Sequence, residues 1–186
     1  MKSGIRYYHG GVPGLSVGDY ILPNGETGNW EAHAQLVPHH VQEQVVNMRA
    51  EAGYSRHQVY ITTDLMVAMA WASMYVTLQK VLGTGTVYEV EPDSPLGPDP
   101  DFRLFPDVFL TSPRAKIIHV AHSGVRLEKR RMLMAVGRYL TWEDDTPVYS
   151  PDGYMLPSPE DQAKGITTEY LHKLGQWSVV PGQRIM

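Results

Sequence analysis

The stretch that decides the fold is QVYITTDLMVAMAWASMYV, residues 58–76. Its first five residues are β-branched or aromatic around a single Gln and read as a strand. Thr63 or Asp64 then supplies a cap, and an unbroken apolar run follows. Leu65, Ala68, Met69, Ala72 and Val76 recur at helical spacing, so a helix is expected from about Leu65 to Leu82, closed by Gly83-Thr84-Gly85.

Two more strands follow. Thr86–Glu91 (TVYEVE) is stopped by Pro92, and Lys116–Ala121 (KIIHVA) is the third clear run. Between them Pro95, Pro98, Pro100, Pro106 and Pro113 impose a long irregular loop, with a short strand at Val108-Phe109-Leu110. Upstream, Ile5–Tyr8 reads as a strand stopped at His9-Gly10-Gly11, and Tyr20-Ile21-Leu22 as a small strand before a turn. Val41–Ala52 reads as a helix. Strands and helices do not alternate evenly, so the expected class is α+β.

After Gly124 the pattern changes. Leu127–Val136 is basic and apolar, either helix or strand. Asp144-Asp145 and Asp152-Gly153 mark hairpins. Ser158-Pro159-Glu160-Asp161 opens a helix expected to reach about Lys173. The expected division is a core over 1–124, with an insertion over about 24–57, and a C-terminal extension over 125–186 packed on it.

Composition narrows the function. The 186 residues carry a net charge of −4 and 42 % hydrophobic residues, which describes a folded chain rather than a disordered one. The acidic balance argues against a non-specific nucleic-acid binder. There is no cysteine, so thiolate metal sites, disulfides and a Cys nucleophile are excluded. No apolar signal core or membrane-length run appears, and a cytoplasmic location is expected. His33, His39 and His40 lack partners at metal-ligand spacing. His119 and His122, three apart on a strand, are expected on opposite faces. Gly83-x-Gly85 follows a helix rather than a strand, so it is no dinucleotide fingerprint, and there is no phosphate-loop lysine motif. Lys129-Arg130-Arg131 reads as a solvated face.

Three pieces carry polar groups at strand ends: Tyr7-Tyr8-His9-Gly10, Val59-Tyr60-Ile61-Thr62, and Val90-Glu91-Pro92 running on to Asp99-Pro100. Read singly, His9 is a turn residue, Tyr60 a cross-strand partner and Asp99 a solvated loop acid. Together and in order, the pieces resemble the ADP-ribosyltransferases with a His-Tyr-acid triad, most closely the rifamycin ADP-ribosyltransferases. The resemblance covers roughly Ile5–Ser123, with weaker support at Thr111–Arg114 and Ile117–Val120. It does not cover the C-terminal third.

The resemblance implies split antiparallel β-sheets around an NAD cleft, with inserted helices. It implies NAD as co-substrate, no metal, and transfer of ADP-ribose with release of nicotinamide. The catalytic residues it implies are His9, Tyr60 and Asp99. His9 would contact the ribose and Tyr60 would stack on nicotinamide, while Gly10 and Thr62 would line the NAD site. Asp99 would stabilise the oxocarbenium-like cation or take the acceptor's proton, and Glu89 and Glu91 compete with it for that role. The acceptor stays open among a small molecule, a protein and a nucleic acid, with nucleic acid entering only as substrate. Two alternatives stand beside this reading: an NAD-dependent RNA 2′-phosphotransferase and a non-catalytic NAD or ADP-ribose-binding module.

Overall fold

The computed structural model describes residues 4–23, 26, 57–74 and 84–178. The chain divides into two compact units, Met1–Arg126 and Leu127–Met186. The expected helix over Val41–Ala52 and nearly all of the expected insertion lie outside the described residues.

The first unit is α+β, built on one open sheet of seven strands in the order β2-β7-β4-β1-β3-β6-β5, every neighbouring pair antiparallel. The strands are β1 (Tyr7–Gly11), β2 (Tyr20–Ile21), β3 (Val59–Thr62), β4 (Gly85–Pro92), β5 (Gly97–Pro98), β6 (Phe109–Ser112) and β7 (Ala115–Val125). One helix, α1 (Leu65–Ser73), follows β3 directly.

Asp64 is the cap of α1. Its carboxylate accepts the main-chain N–H groups of Met66 and Val67 at 2.9 and 3.4 Å. That satisfies two of the donors a helix start leaves unpaired, worth about 1 kcal/mol. The helix closes at Met74. The rest of the expected span, 75–82, lies outside the described residues. A nine-residue helix is marginal in isolation, so its stability comes from what it packs on.

Ala68 and Ala72 face the sheet, with Leu65 and Met69 beside them and Tyr8, Val87, Ala121 and Val125 below. The small side chains let the helix approach very closely. A Cβ on Gly10 would fall 1.9 Å from the Ala68 carbonyl oxygen, and one on Gly85 would fall 2.1 Å from that of Ala72. This is why β1 does not stop at His9-Gly10-Gly11, as its sequence suggests. The glycines belong to the strand because a helix backbone occupies the space their side chains would take.

The opposite face carries a second cluster of Ile21, Val59, Ile61, Tyr88, Val90, Ala115 and Ile117. Buried Tyr88 also fastens the loop after β1, donating to the Val12 carbonyl at 2.8 Å and accepting from the Leu15 N–H at 3.3 Å.

Strand β7 pairs irregularly with β4. His122 lies opposite Val87 and His119 opposite Glu89, with a register shift between Val87 and Tyr88. Val87 and Glu89 are two apart and share a face, so both histidines lie on that face. The bulge overturns the opposite-face expectation, because an extra residue between them resets the alternation.

The second unit has its own small core of Val148, Tyr149, Met155 and Leu171, with Trp142 and Trp177 against it. The expected hairpins appear as the bridges Thr141↔Pro147 and Tyr149↔Met155. Leu127–Val136 resolves into a helix, α2 (Lys129–Val136). The expected single helix to Lys173 is two short ones, α3 (Pro159–Ala163) and α4 (Thr168–His172). Gly165 at φ +79° breaks them apart. The Ser158–Asp161 capping box starts α3 as its sequence suggests. Among the described residues no helix is long and apolar enough to cross a membrane.

Candidate functional site

The sheet narrows at one joint. β1 pairs with β4 over five residues, from Tyr7↔Val90 to Gly11↔Thr86, but with β3 only at Tyr8↔Thr62. Beyond that pair the ladder between β1 and β3 stops, and His9 stands at this point. The two sheets that the resemblance implies are here one ladder, joined by a single pair.

His9 bridges the joint. Its Nδ1 lies 2.9 Å from the Tyr60 carbonyl oxygen. A carbonyl only accepts, so Nδ1 carries the proton and Nε2 presents a lone pair. Burial holds the imidazole pKa below its ordinary value, and the bond to the Tyr60 carbonyl only partly offsets that. His9 is therefore a neutral imidazole of fixed tautomer near pH 7. Gly11 makes room for it, since a Cβ there would sit 2.7 Å from Nε2.

The structure thus brings His9 and Tyr60 together through the tyrosine's main chain. Their side chains leave the sheet on opposite faces. Tyr60 alternates with Val59 and Ile61 of the second cluster, so its ring is on the helix side. His9 alternates with Tyr8 and Gly10, which meet the helix, so its ring starts on the other side. Thr62 is fully buried, and its hydroxyl accepts the Asp64 N–H at 3.1 Å, shaping the turn into α1. Gly10 has an evident packing duty against the same helix.

Asp99 sits elsewhere. It follows β5 at the sheet edge, with its N–H on the Phe109 carbonyl. That is two strands beyond β3 and three beyond β1, or ~10 and ~14 Å at ordinary strand spacing. Its carboxylate accepts the Asp101 N–H at 3.0 Å and caps the short 3-10 turn Pro100–Phe102. Only 3 % of Asp99 is exposed, and burial pushes its pKa up to about 6. Phe102 stacks on Phe109 with ring centroids 3.9 Å apart, and Trp71 of α1 lies 5.9 Å from the same Phe109. An aromatic layer thus runs from the turn that Asp99 caps to the helix.

The competing acids lie on β4. Glu89 is opposite Tyr8 and flanked by Arg6 at 3.8 Å and His119 at 3.9 Å. Glu91 is exposed opposite Lys116. Sequence reading missed the two residues that set the joint. Gly11 makes space for the imidazole, and the Tyr88 hydroxyl holds the loop that leaves β1. The Gly-Gly pair was the available signal for the first; Tyr88 carries none beyond a tyrosine in a strand.

A cavity of about 550 Å³ in the second unit, lined in part by Pro147, Leu156, Ile166, Thr168 and Glu169, contains none of His9, Gly10, Tyr60, Thr62, Glu89, Glu91 and Asp99. No protein-family model matches the chain, and no curated protein matches its sequence.

Proposed function

We propose that the chain is an NAD-dependent mono-ADP-ribosyltransferase, ADP-ribosyltransferase-like in fold and cytoplasmic. The observation that carries the reading is the neutral His9 imidazole, held by the Tyr60 carbonyl where the β1–β3 ladder ends. A neutral imidazole with a free lone pair is suited to accept a hydrogen bond from a ribose hydroxyl. Tyr60 contributes the carbonyl that holds the imidazole; its ring leaves the sheet on the helix side, so stacking on nicotinamide requires the dinucleotide to pass through the gap where the β1–β3 ladder ends.

In the reaction the bond between ribose C1′ and the nicotinamide nitrogen breaks, and nicotinamide leaves with the electron pair. An acceptor atom forms the new bond to C1′, and its proton passes to a base. An oxocarbenium-like intermediate stage calls for orientation of the ribose and a nearby negative group. Asp99, with a pKa of about 6, has the proton affinity of a working acid–base group at neutral pH. Glu89 is the alternative acid.

One observation favours a second reading, a non-catalytic NAD or ADP-ribose-binding module. Asp99 caps its own turn two strands beyond β3, and a binding module needs no acid at C1′. Nicotinamide release from NAD separates the two. Release supports the transferase, and NAD binding by calorimetry without release supports the module. Neither release nor binding removes both. Where release occurs, a 2′-phosphorylated RNA tests the phosphotransferase alternative.

A further inference from the structure

We propose that Tyr88 is a positioning residue of the His9 site, its hydroxyl holding the turn past which a ligand reaches the free imidazole nitrogen. The role rests on the NAD-binding reading of that site.

Tyr88 is fully buried and is the ladder partner of His9, so the two side chains leave adjacent strands on one face. Its ring belongs to the second cluster. In so apolar a place a phenylalanine would pack as well, unless the hydroxyl has partners to serve. It has two, and both belong to one short segment. The hydroxyl donates to the Val12 carbonyl at 2.8 Å and accepts the Leu15 N–H at 3.3 Å.

Val12-Pro13-Gly14-Leu15 has the residue types of a type II turn, with Pro second and Gly third, and Gly14 has φ +102°. The carbonyl and N–H that would close such a turn on each other bond to Tyr88 instead. The turn is thus closed from within the core. A side chain on Gly14 would meet nothing within 4 Å, so the glycine answers to its positive φ alone. Beyond the turn Leu15 packs on the second cluster, and the Gly18 N–H bonds the Ile117 carbonyl of β7 at 2.9 Å. The strand order is β7-β4-β1, so the segment crosses over β4 on the face that His9 shares.

The turn begins where the imidazole ends. Nε2 has no hydrogen-bond partner among the described residues, and it lies 2.7 Å from where a Cβ on Gly11 would stand. Val12 is the next residue. A group that bonds to Nε2 therefore comes in beside this turn, with β3 and the Tyr60 carbonyl on the imidazole's other side. A turn set in place beforehand spares the ligand the cost of ordering it.

The test uses the full-length protein and NAD. Tyr88→Phe keeps the ring and loses the hydroxyl, and circular dichroism should show it folded. Amide exchange at Leu15 should speed up about 10-fold and NAD affinity by calorimetry should fall about 10-fold. Nicotinamide release should show a raised KM with kcat unchanged, because the turn is ordered alike in the complex and in the transition state. Gly14→Ala disturbs the same turn from outside the core, through φ alone, and should also weaken NAD binding about 10-fold. The double variant should lose about 10-fold rather than about 100-fold, since either change already frees the turn. The nitrogen NMR shifts of His9 should not move in Tyr88→Phe, because the Tyr60 carbonyl fixes the tautomer. Wild type that binds NAD, with Tyr88→Phe binding it equally, would overturn this role and leave the NAD reading standing. So would an additive loss in the double variant, the mark of two independent structural defects. Wild type that binds no NAD would overturn the reading itself and the role with it.

Discussion

Replacing Asp99 by Asn separates the carboxyl's cost to the fold from its use in chemistry. Asn retains an oxygen that can accept the Asp101 N–H, so the cap survives. It cannot ionise. In the native protein the carboxyl pKa rises from 3.8 to about 6, chiefly because the group is buried. A raised carboxylate pKa means that the folded state prefers the neutral form. The group's favourable contribution is complete below pH 3.8 and is lost as pH rises through 6. Two pKa units at 1.36 kcal/mol each make the ionised carboxylate cost about 3 kcal/mol above pH 6. Asp99→Asn should therefore be about 2–3 kcal/mol more stable than wild type at pH 8, with the gain falling below about 1 kcal/mol at pH 4. Urea unfolding followed by tryptophan fluorescence measures this, with Trp71 close to the aromatic layer as a reporter. Nicotinamide release assayed in parallel should drop by at least 100-fold if Asp99 is the acid. A variant less stable than wild type at pH 8 would refute the reasoning, because the carboxylate would then be a paired charge the fold uses. A stabilised variant with full activity would move the acid's role to Glu89 or Glu91.

The other predictions concern the joint. Gly10→Ala should destabilise the first unit by about 3 kcal/mol, since its Cβ meets helix backbone that cannot swing aside; denaturant unfolding reads this directly. Gly11→Ala meets the movable end of the His9 ring instead. It should cost under about 1.5 kcal/mol, roughly one hydrogen bond, yet weaken NAD binding about 10-fold by calorimetry. Tyr60→Ala should lower NAD affinity about 10-fold through loss of ring stacking, and unchanged affinity would remove Tyr60 from the site. The depressed His9 pKa means its neutral-state contribution is present above pH 6.5 and lost as pH falls through the lower folded value. NAD affinity should thus stay level from pH 8 to 6.5, and a loss centred at 6.5 would contradict the burial of the imidazole.

What was legible in the sequence is what local chemistry decides. Thr63-Asp64 before an apolar run and Ser158-Pro159-Glu160-Asp161 announce helix starts, and helices begin at both, capped by Asp64 and by Ser158. The β-branched runs around Ile61, Val87 and Ile117 are strands. What was not legible depends on partners distant in sequence. Nothing near Gly10 says that Ala68 will lie against it, so two glycines that read as a stop are strand. Nothing in KIIHVAHS reveals that pairing with β4 will skip a residue and turn His119 and His122 to one side. Asp99 reads as a solvated loop acid, yet it is buried and caps a short 3-10 turn, because β6 and the turn itself cover it, and local sequence does not fix how many strands separate that turn from His9.

The glycine after His9 changes the weight of the motif it belongs to. The resemblance implies that Gly10 lines an NAD site, where a bare backbone could approach the ligand. In this fold Gly10 is demanded by α1 alone, and it would be required in a protein that never met NAD. The second glycine is different. Gly11 is crowded by nothing closer than the His9 imidazole, and its absent side chain is what lets that ring lie along the strand with Nδ1 on the Tyr60 carbonyl. The second glycine leaves the space in which the ring reaches that carbonyl, and the carbonyl fixes one tautomer with one lone pair on offer, as the proposed role in ligand binding requires. The paired alanine variants therefore test the site: one should unfold the unit and the other should leave it folded and weaken its hold on NAD. If both instead acted through stability alone, His9 would be a wedge in a sheet joint and the NAD reading would lose its strongest support.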